Sequence, residues 1–421
     1  MPTVMPLLGP VQAFAQDLEG VHRSTFGAAD SEWLLLAALL HRLAAVRPAD
    51  RERLGSQLAS TFRESDGDLD VPRAWGNSEH ERASLAKALS TLGTAESAER
   101  IATFAMTRAA SMENAGAFRL AYATLTCLHL ALPNLADGAR GLVIAQQGRV
   151  ARQFGDVRLA REHYEEALRL GRSARAPEVA VRALLGLGVL ANTRGNYPDA
   201  RRLFRSALRR ANTPSLAAHA AAAHHGLMLG SLAAWDLEGA LAHGWAAFQS
   251  AGNDADRRAD ELINLAEICL RGGEYHAALN GYRVALRLTS LARLRLAALG
   301  GAVLAATRAK KHADLVRLAH DAEVEIARAQ QPFESAQTLI ELAEAFEMAG
   351  ATDRAASYRD RAAETAERGG FYEVIHRADS VAARLVARTE SSRLKLGQRS
   401  SRIVRAIEAL PIDEPTSVAR G

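Results

Sequence analysis

Gly195-Asn196-Tyr197-Pro198-Asp199-Ala200-Arg201-Arg202-Leu203-Phe204-Arg205-Ser206-Ala207, residues 195–207, is the stretch on which the fold turns. A glycine is followed five residues later by alanine, four further on by a large ring, and three after that by alanine again. At 3.6 residues per turn, Ala200, Phe204 and Ala207 share one helical face, and Gly195 supplies the turn that precedes it. The same order stands at Gly155, Ala160, Tyr164 and Ala167, and again at Gly273, Ala278, Tyr282 and Ala285.

Working outward, the first small position recurs at Ala121, Ala160, Ala200, Ala240, Ala278, Leu315 and Ala355, at intervals of 39, 40, 40, 38, 37 and 40 residues. A period of this length marks stacked supersecondary units, each touching only its neighbours. The glycine position reads Gly116, Gly155, Gly195, Gly273 and Gly350, with Trp235 and Lys310 as exceptions, and the second small position reads Leu128, Ala167, Ala207, Ala247, Ala285, Ala322 and Ala362. Close helix crossings need such small residues, and the rings fill the gaps between neighbouring pairs. The fold class expected is all-α, an α-solenoid of about seven helical hairpins with almost no strand.

Composition agrees. Of 421 residues, 48% are hydrophobic but only 5% aromatic, so the apolar surface is mostly Ala, Leu and Val. Charge is nearly balanced, with 52 Lys+Arg against 48 Asp+Glu. The net +4 is an arginine surplus, since Lys87, Lys310, Lys311 and Lys395 are the four lysines, and it demands no nucleic acid. Cys127 and Cys269 match no metal or redox spacing, so a reduced, cytoplasmic setting is expected. Ala13-Phe14-Ala15 resembles an export cleavage site, but no basic residue precedes it and Pro2, Pro6 and Pro10 interrupt the apolar stretch. The longest later apolar run, Trp33 to Leu40, is too short to span about 30 Å of hydrocarbon, so no membrane role is expected.

Residues 141–172, with Gly148, Gly155-Asp156, Ala160, Tyr164 and Ala167, resemble the tetratricopeptide repeat, as do residues 181–212, with Gly188, Gly195-Asn196-Tyr197, Ala200, Phe204 and Ala207. Residues 259–289 follow closely through Leu262, Leu265, Gly273-Glu274-Tyr275, Ala278, Tyr282 and Ala285. The units on Leu315 and Ala355 match less well. These units exceed the common length of about 34 residues, and in this they resemble the long repeats of bacterial regulators related to the maltose activator. HEAT-type repeats share the length but lack the Gly, Ala and aromatic pattern. The resemblance implies a right-handed superhelix whose concave wall is lined by the first helix of each pair. Around the array at 96–370, residues 1–95 form an N-terminal helical cap with a loose first 30, 371–410 a C-terminal capping pair, and 411–421 a tail.

No chemical motif survives its context. Gly186-Leu187-Gly188-Val189-Leu190-Ala191 fits a dinucleotide loop but falls inside a helix of a well-matched repeat instead of after a strand. Ser84-Leu85-Ala86-Lys87 has the form of an activated serine, yet no lysine precedes threonine to complete that machinery, and no lysine follows glycine, as a phosphate loop requires. Cys127 and His129 diverge on one helix. His219, His224, His225 and His243 form the densest histidine group, but their spacing is poor for a metal. The basic stretch Arg384, Arg388, Arg393, Lys395, Arg399, Arg402 and Arg405 is punctuated by Leu394, Leu396, Ile403, Val404, Ile407 and Leu410, and reads as an amphipathic cap with a solvated side. No enzyme, cofactor, metal or specific nucleic acid is expected, and nothing in the pattern sets an oligomeric state.

Counting within the matched units, the resemblance puts Arg149, Arg152, Gln153, Asn192, His225, Asp260, Glu267 and Arg271 on the groove wall, around apolar patches from Leu142, Leu185, Leu229, Leu232, Ile263 and Leu270. This amphoteric lining suits an extended peptide or a partner helix. The leading expectation is a non-catalytic protein-interaction adaptor; the alternative is a regulatory sensor that takes a small ligand or signalling peptide and acts on a transcriptional or signalling partner.

Overall fold

The computed structural model describes residues 94–411 apart from 115, 330 and 388–399, together with scattered positions between 40 and 91. Among the described residues there are sixteen α-helices and no strand. The expected N-terminal helical cap at 1–95 lies largely outside them.

The chain divides into two compact units. The first comprises residues 1–195 with 209–211, the second 196–208 with 212–421. In the first, α1 (Ala95–Asn114), α2 (Phe118–Ala131), α3 (Asp137–Gln153), α4 (Val157–Ser173) and α5 (Pro177–Thr193) each pack on the next, and α3 also touches α1 and α5. The second holds most of α6 (Tyr197–Arg210), then α7 (Ala217–Ala233), α8 (Leu237–Ser250), α9 (Ala255–Arg271), α10 (Tyr275–Leu288), α11 (Ala292–Arg308), α12 (His312–Arg328), α13 (Pro332–Met348), α14 (Thr352–Gly369), α15 (Tyr372–Ala387) and α16 (Ser401–Glu408). Here too helices pair into hairpins, and the odd-numbered α9, α11, α13 and α15 stack directly on one another.

Each hairpin turns by one device. At the end of α3, the Asp156 N–H donates to the Ala151 carbonyl at 3.0 Å, closing the last turn, while Gly155 adopts φ +91. The Asp156 carboxylate then accepts from the Leu159 N–H at 2.9 Å and caps α4. Asp236 does the same between α7 and α8, bonding to the Ser231 carbonyl and accepting from the Gly239 N–H. All seven positions read from the repeat have positive φ, including Trp235 and Lys310, both at +58.

The seven first small positions are between 0% and 3% exposed, and the seven followers are all at 0%. The rings point forward to the next hairpin. Tyr164 of α4 lies so close to Gly186 of α5 that a methyl group there would overlap the ring, and the same holds for Phe204 of α6 against Gly226 of α7 and Tyr282 of α10 against Gly301 of α11. At α8 the arrangement is inverted. The ring position is Gly244, and Met228 of α7 and Leu265 of α9 close over it instead. Tyr358 of α14 has no glycine ahead of it on α15, and it stacks back on Phe346 of α13 with centroids 5.4 Å apart.

At the C-terminal end, α15 stacks on α13 and α14, but α16 returns to α10 and α8. The Asn280 amide donates to the Ile407 carbonyl at 2.7 Å and to those of Glu408 and Leu410 at 3.2 Å, capping α16, while Val404 and Ile407 are buried. Arg402 and Arg405 stay exposed on the opposite side.

Replacing Gly186 or Gly301 by alanine should cost about 1–3 kcal/mol through overpacking. Urea melts followed by circular dichroism measure this, and both variants should keep native helicity in the absence of denaturant.

Candidate functional site

Because odd-numbered helices stack within each unit, side chains one repeat apart meet along a wall of first helices. In the first unit Glu113 of α1, whose side chain is 1% exposed, accepts from Arg149 Nε of α3 at 2.6 Å. Gln146 Nε2 also donates to Glu113, at 2.9 Å. Such an enclosed carboxylate is tolerable only because charge-assisted bonds replace its water. Beside it the Tyr164 hydroxyl emerges between α3 and α5. Burial pushes that phenol up, opposed by the charge of Arg152 and by a hydrogen bond with it. Arg152 is half-buried, and its Nε has no acceptor among the described residues. Gln153 is exposed at the end of α3, and Asn192 is half-buried on α5.

In the second unit, His225 Nδ1 of α7 donates to both carboxylate oxygens of Glu261 on α9, at 3.0 and 3.1 Å. Burial alone would lower His225, but the bond to Glu261 and the charges of Glu261 and Asp260 raise it. Asp260, half-buried, is raised by burial, with His225 opposing and Glu261 reinforcing. Further along α9, Glu267 accepts from Arg271 Nε at 2.6 Å and from the Tyr282 hydroxyl at 3.1 Å. Arg377 and Arg384 of α15 clamp Glu344 and Glu347 of α13 with paired bonds of 2.9–3.3 Å.

Glu341 stands apart. Its carboxyl packs on Gly300 of α11, where only glycine leaves room. It makes no hydrogen bond or ion pair among the described residues, and burial pushes it up to about 8, with Arg377 opposing and Glu267 and Glu344 reinforcing.

Of the predicted wall residues, the structure brings Arg149 and Arg152 together around Tyr164, His225 together with Asp260, and Glu267 with Arg271; Gln153 joins none of them. Reading along the chain misses Glu113, Gln146, Tyr164, Glu261, Tyr282, Glu341, Glu344 and Arg377. Apart from Glu341, which has none among the described residues, their partners are 12 to 36 residues away on other helices, so no local pattern announces them. The spacing of Tyr164 and Tyr282 was itself legible, and what it left out was that the hydroxyls reach this wall.

The other candidates are placed as follows. His224 Nδ1 and His243 Nδ1 face each other at 3.2 Å, one donating to the other, and burial lowers both rings. No group of three or more His, Cys, Asp or Glu able to hold a metal occurs among the described residues. Gly186 to Ala191 is mid-helix in α5, where Gly186 receives the Tyr164 ring. Cys127 and Cys269 are buried, and each thiol is pushed up to about 12 by burial. No helix among the described residues is long and apolar enough to cross a membrane.

A family model described as tetratricopeptide repeat matches residues 145–217. Within those residues the chain carries the tetratricopeptide repeat pattern. A solved structure with the same repeat fold is that of a signal-transduction ATPase with numerous domains and a tetratricopeptide repeat sensor, from Pyrococcus horikoshii. The TM-score is 0.54 at 11% identity, over 80% of this chain and 56% of that one. A Rap protein complexed with competence and sporulation factor gives 0.47 at 13% identity, over 82% of this chain and 99% of that one. The apo form of the quorum sensor NprR from B. thuringiensis gives 0.42 at 14% identity, over 84% and 99%. No curated protein matches by sequence.

Two pH effects follow from the wall. His225 holds its proton more tightly folded than unfolded, so its contribution is complete below about 6.5 and fades as pH rises through the elevated folded value. His225→Gln should therefore cost about 1–3 kcal/mol at low pH, with the gap to wild type narrowing above neutrality. Glu341 acts with the same sign over a different interval. The folded chain keeps its proton to about 8 while the unfolded chain releases it near 4.5, so wild-type stability falls across that interval. Glu341→Gln should gain on wild type over the same interval, measured by urea midpoints at stepped pH.

Proposed function

We propose that the chain is a non-catalytic adaptor that holds a peptide or a partner helix along the first-helix wall of its repeats. The supporting observation is that the wall's polar groups are held in place by cross-repeat bonds, yet two are left with hydrogen-bonding capacity unspent. Arg152 Nε lacks an acceptor, and the Glu341 carboxyl lacks any bond, among the described residues. Buried polar groups are ordinarily satisfied, so an incoming ligand that supplies the missing partners gains more here than at a solvated side chain. Arg149, Gln153 and Asn192 flank Arg152 in the first unit's share of the wall, and His225, Asp260, Glu267 and Arg271 extend the second's. Partly buried Ile263 and Leu270 supply apolar contact within the second unit's share.

A sensor reading uses the same wall for a small ligand or signalling peptide whose binding is relayed to a transcriptional or signalling partner. It draws on the repeat sensor of the Pyrococcus horikoshii ATPase, a likeness of fold, and on the Glu341 proton, which couples occupancy of the wall to pH.

Peptides selected from a display library against the full chain, then measured by calorimetry, test the adaptor reading. Arg152→Ala should weaken the selected peptides about ten- to a hundredfold, the range of a hydrogen bond to a charged group, and Glu341→Ala about three- to tenfold, the range for a neutral carboxyl, with helicity retained in both. Selected peptides that bind both variants as they bind wild type contradict it, and saturable thermal shifts with small metabolites in place of peptides favour the sensor.

A further inference from the structure

Two of the seven turns lack glycine at the positive-φ position, the α11–α12 turn, which places Lys310, and the α7–α8 turn, which places the bulkier Trp235. Where Gly116, Gly155, Gly195, Gly273 and Gly350 take positive φ, this turn places Trp235, at φ +58. A left-handed backbone brings the Cβ of an L residue against the following carbonyl, and a bulky residue there is an outlier. The indole is also 68% exposed. Its backbone N–H bonds to the Leu232 carbonyl at 3.0 Å as in the other turns, but the ring makes no aromatic or hydrogen-bonding contact among the described residues. Glycine would relieve the strain and remove exposed apolar area at the same position, as it does in five other repeats. Within the fold, then, tryptophan here disfavours stability on both counts, and residues of that kind cluster where a surface works on something else.

The surroundings define what that is. Asp236 follows directly and is exposed, and Glu238 stands in the first turn of α8. Neither the last turn of α7 nor the first turn of α8 contains a basic residue. Asp236 spends one carboxylate oxygen on the Gly239 N–H and keeps its charge. Leu229, 42% exposed, lies two turns earlier on α7. An indole face one and three residues from two carboxylates is complementary to an arginine or lysine side chain, whose charge interacts with the ring quadrupole and whose methylene stem covers apolar surface. Tryptophan gives the strongest such face and is among the residues enriched at binding hot spots.

We propose that Trp235 is a docking residue on the hairpin-turn edge, and that it takes a basic segment of a partner protein, with an arginine or lysine laid over the indole against Asp236 and Glu238. This contact lies off the first-helix wall and stands or falls separately from the adaptor reading.

The test uses the full chain with two fluorescein-labelled probes, a ten-residue peptide of alternating glycine and arginine and its glutamate counterpart, alongside thermal melts. Wild type should bind the arginine peptide and not the glutamate one. Trp235→Gly should weaken that binding at least tenfold while raising Tm by a few degrees, and Trp235→Phe should keep most of the affinity. Absence of arginine-peptide binding to wild type overturns the proposal. So does undiminished binding to Trp235→Gly, which would move the basic ligand to the Glu267 and Glu344 region of the wall. A fall in Tm on Trp235→Gly also overturns it, because the ring would then be supporting the fold.

Discussion

Everything in this molecule depends on a ring from one helical hairpin seated against a glycine of the next. Tyr164 on Gly186, Phe204 on Gly226 and Tyr282 on Gly301 are three cases, and Gly244 beneath Met228 and Leu265 is the same fit with bulk and space exchanged. The alanines at anchor and follower positions let the two helices of a hairpin approach. They do not by themselves decide how one hairpin meets its neighbour. A ring that exceeds its own hairpin's surface and a glycine that receives it 19 to 22 residues later set that register. Nearly close-packed interiors leave little slack for any other arrangement.

The same fit builds the wall. Because a tyrosine must pass between two first helices to reach its glycine, its hydroxyl comes out among their polar side chains. Tyr164 delivers a phenol beside Arg152, and Tyr282 delivers one to Glu267. Phe204 occupies the equivalent place with no polar tip. The bonds between Glu113 and Arg149, His225 and Glu261, and Glu344 and Arg377 each join first helices one repeat apart. Their positions are therefore set by the hairpin register.

The repeat itself was legible because its signals are local. A glycine, a small residue and a ring within ten positions state a turn and one helical face, and every small position so read is buried. The turn signal held even where glycine was absent, since Trp235 and Lys310 adopt the same backbone. The wall was legible only in part. Arg149 and Arg152 could be counted onto it, but Glu113 lies 36 residues from Arg149, and a carboxylate in the last turn of a helix looks like any solvated one. Gly186, as one letter of a dinucleotide-loop pattern, was set aside on its helical context, and what approaches it is the Tyr164 ring. The return of α16 to α10 was likewise invisible, because Asn280 and Ile407 are 127 residues apart.

The most direct measurement of this account is a double-mutant cycle on Phe204→Ala and Gly226→Ala in the full chain, read by urea unfolding. With the ring present, the added methyl at residue 226 should cost about 1–3 kcal/mol. With the ring removed it should cost almost nothing, giving a coupling of at least about 1 kcal/mol. Equal costs in both backgrounds would mean that ring and glycine do not hold the hairpins in register, and the account would fail.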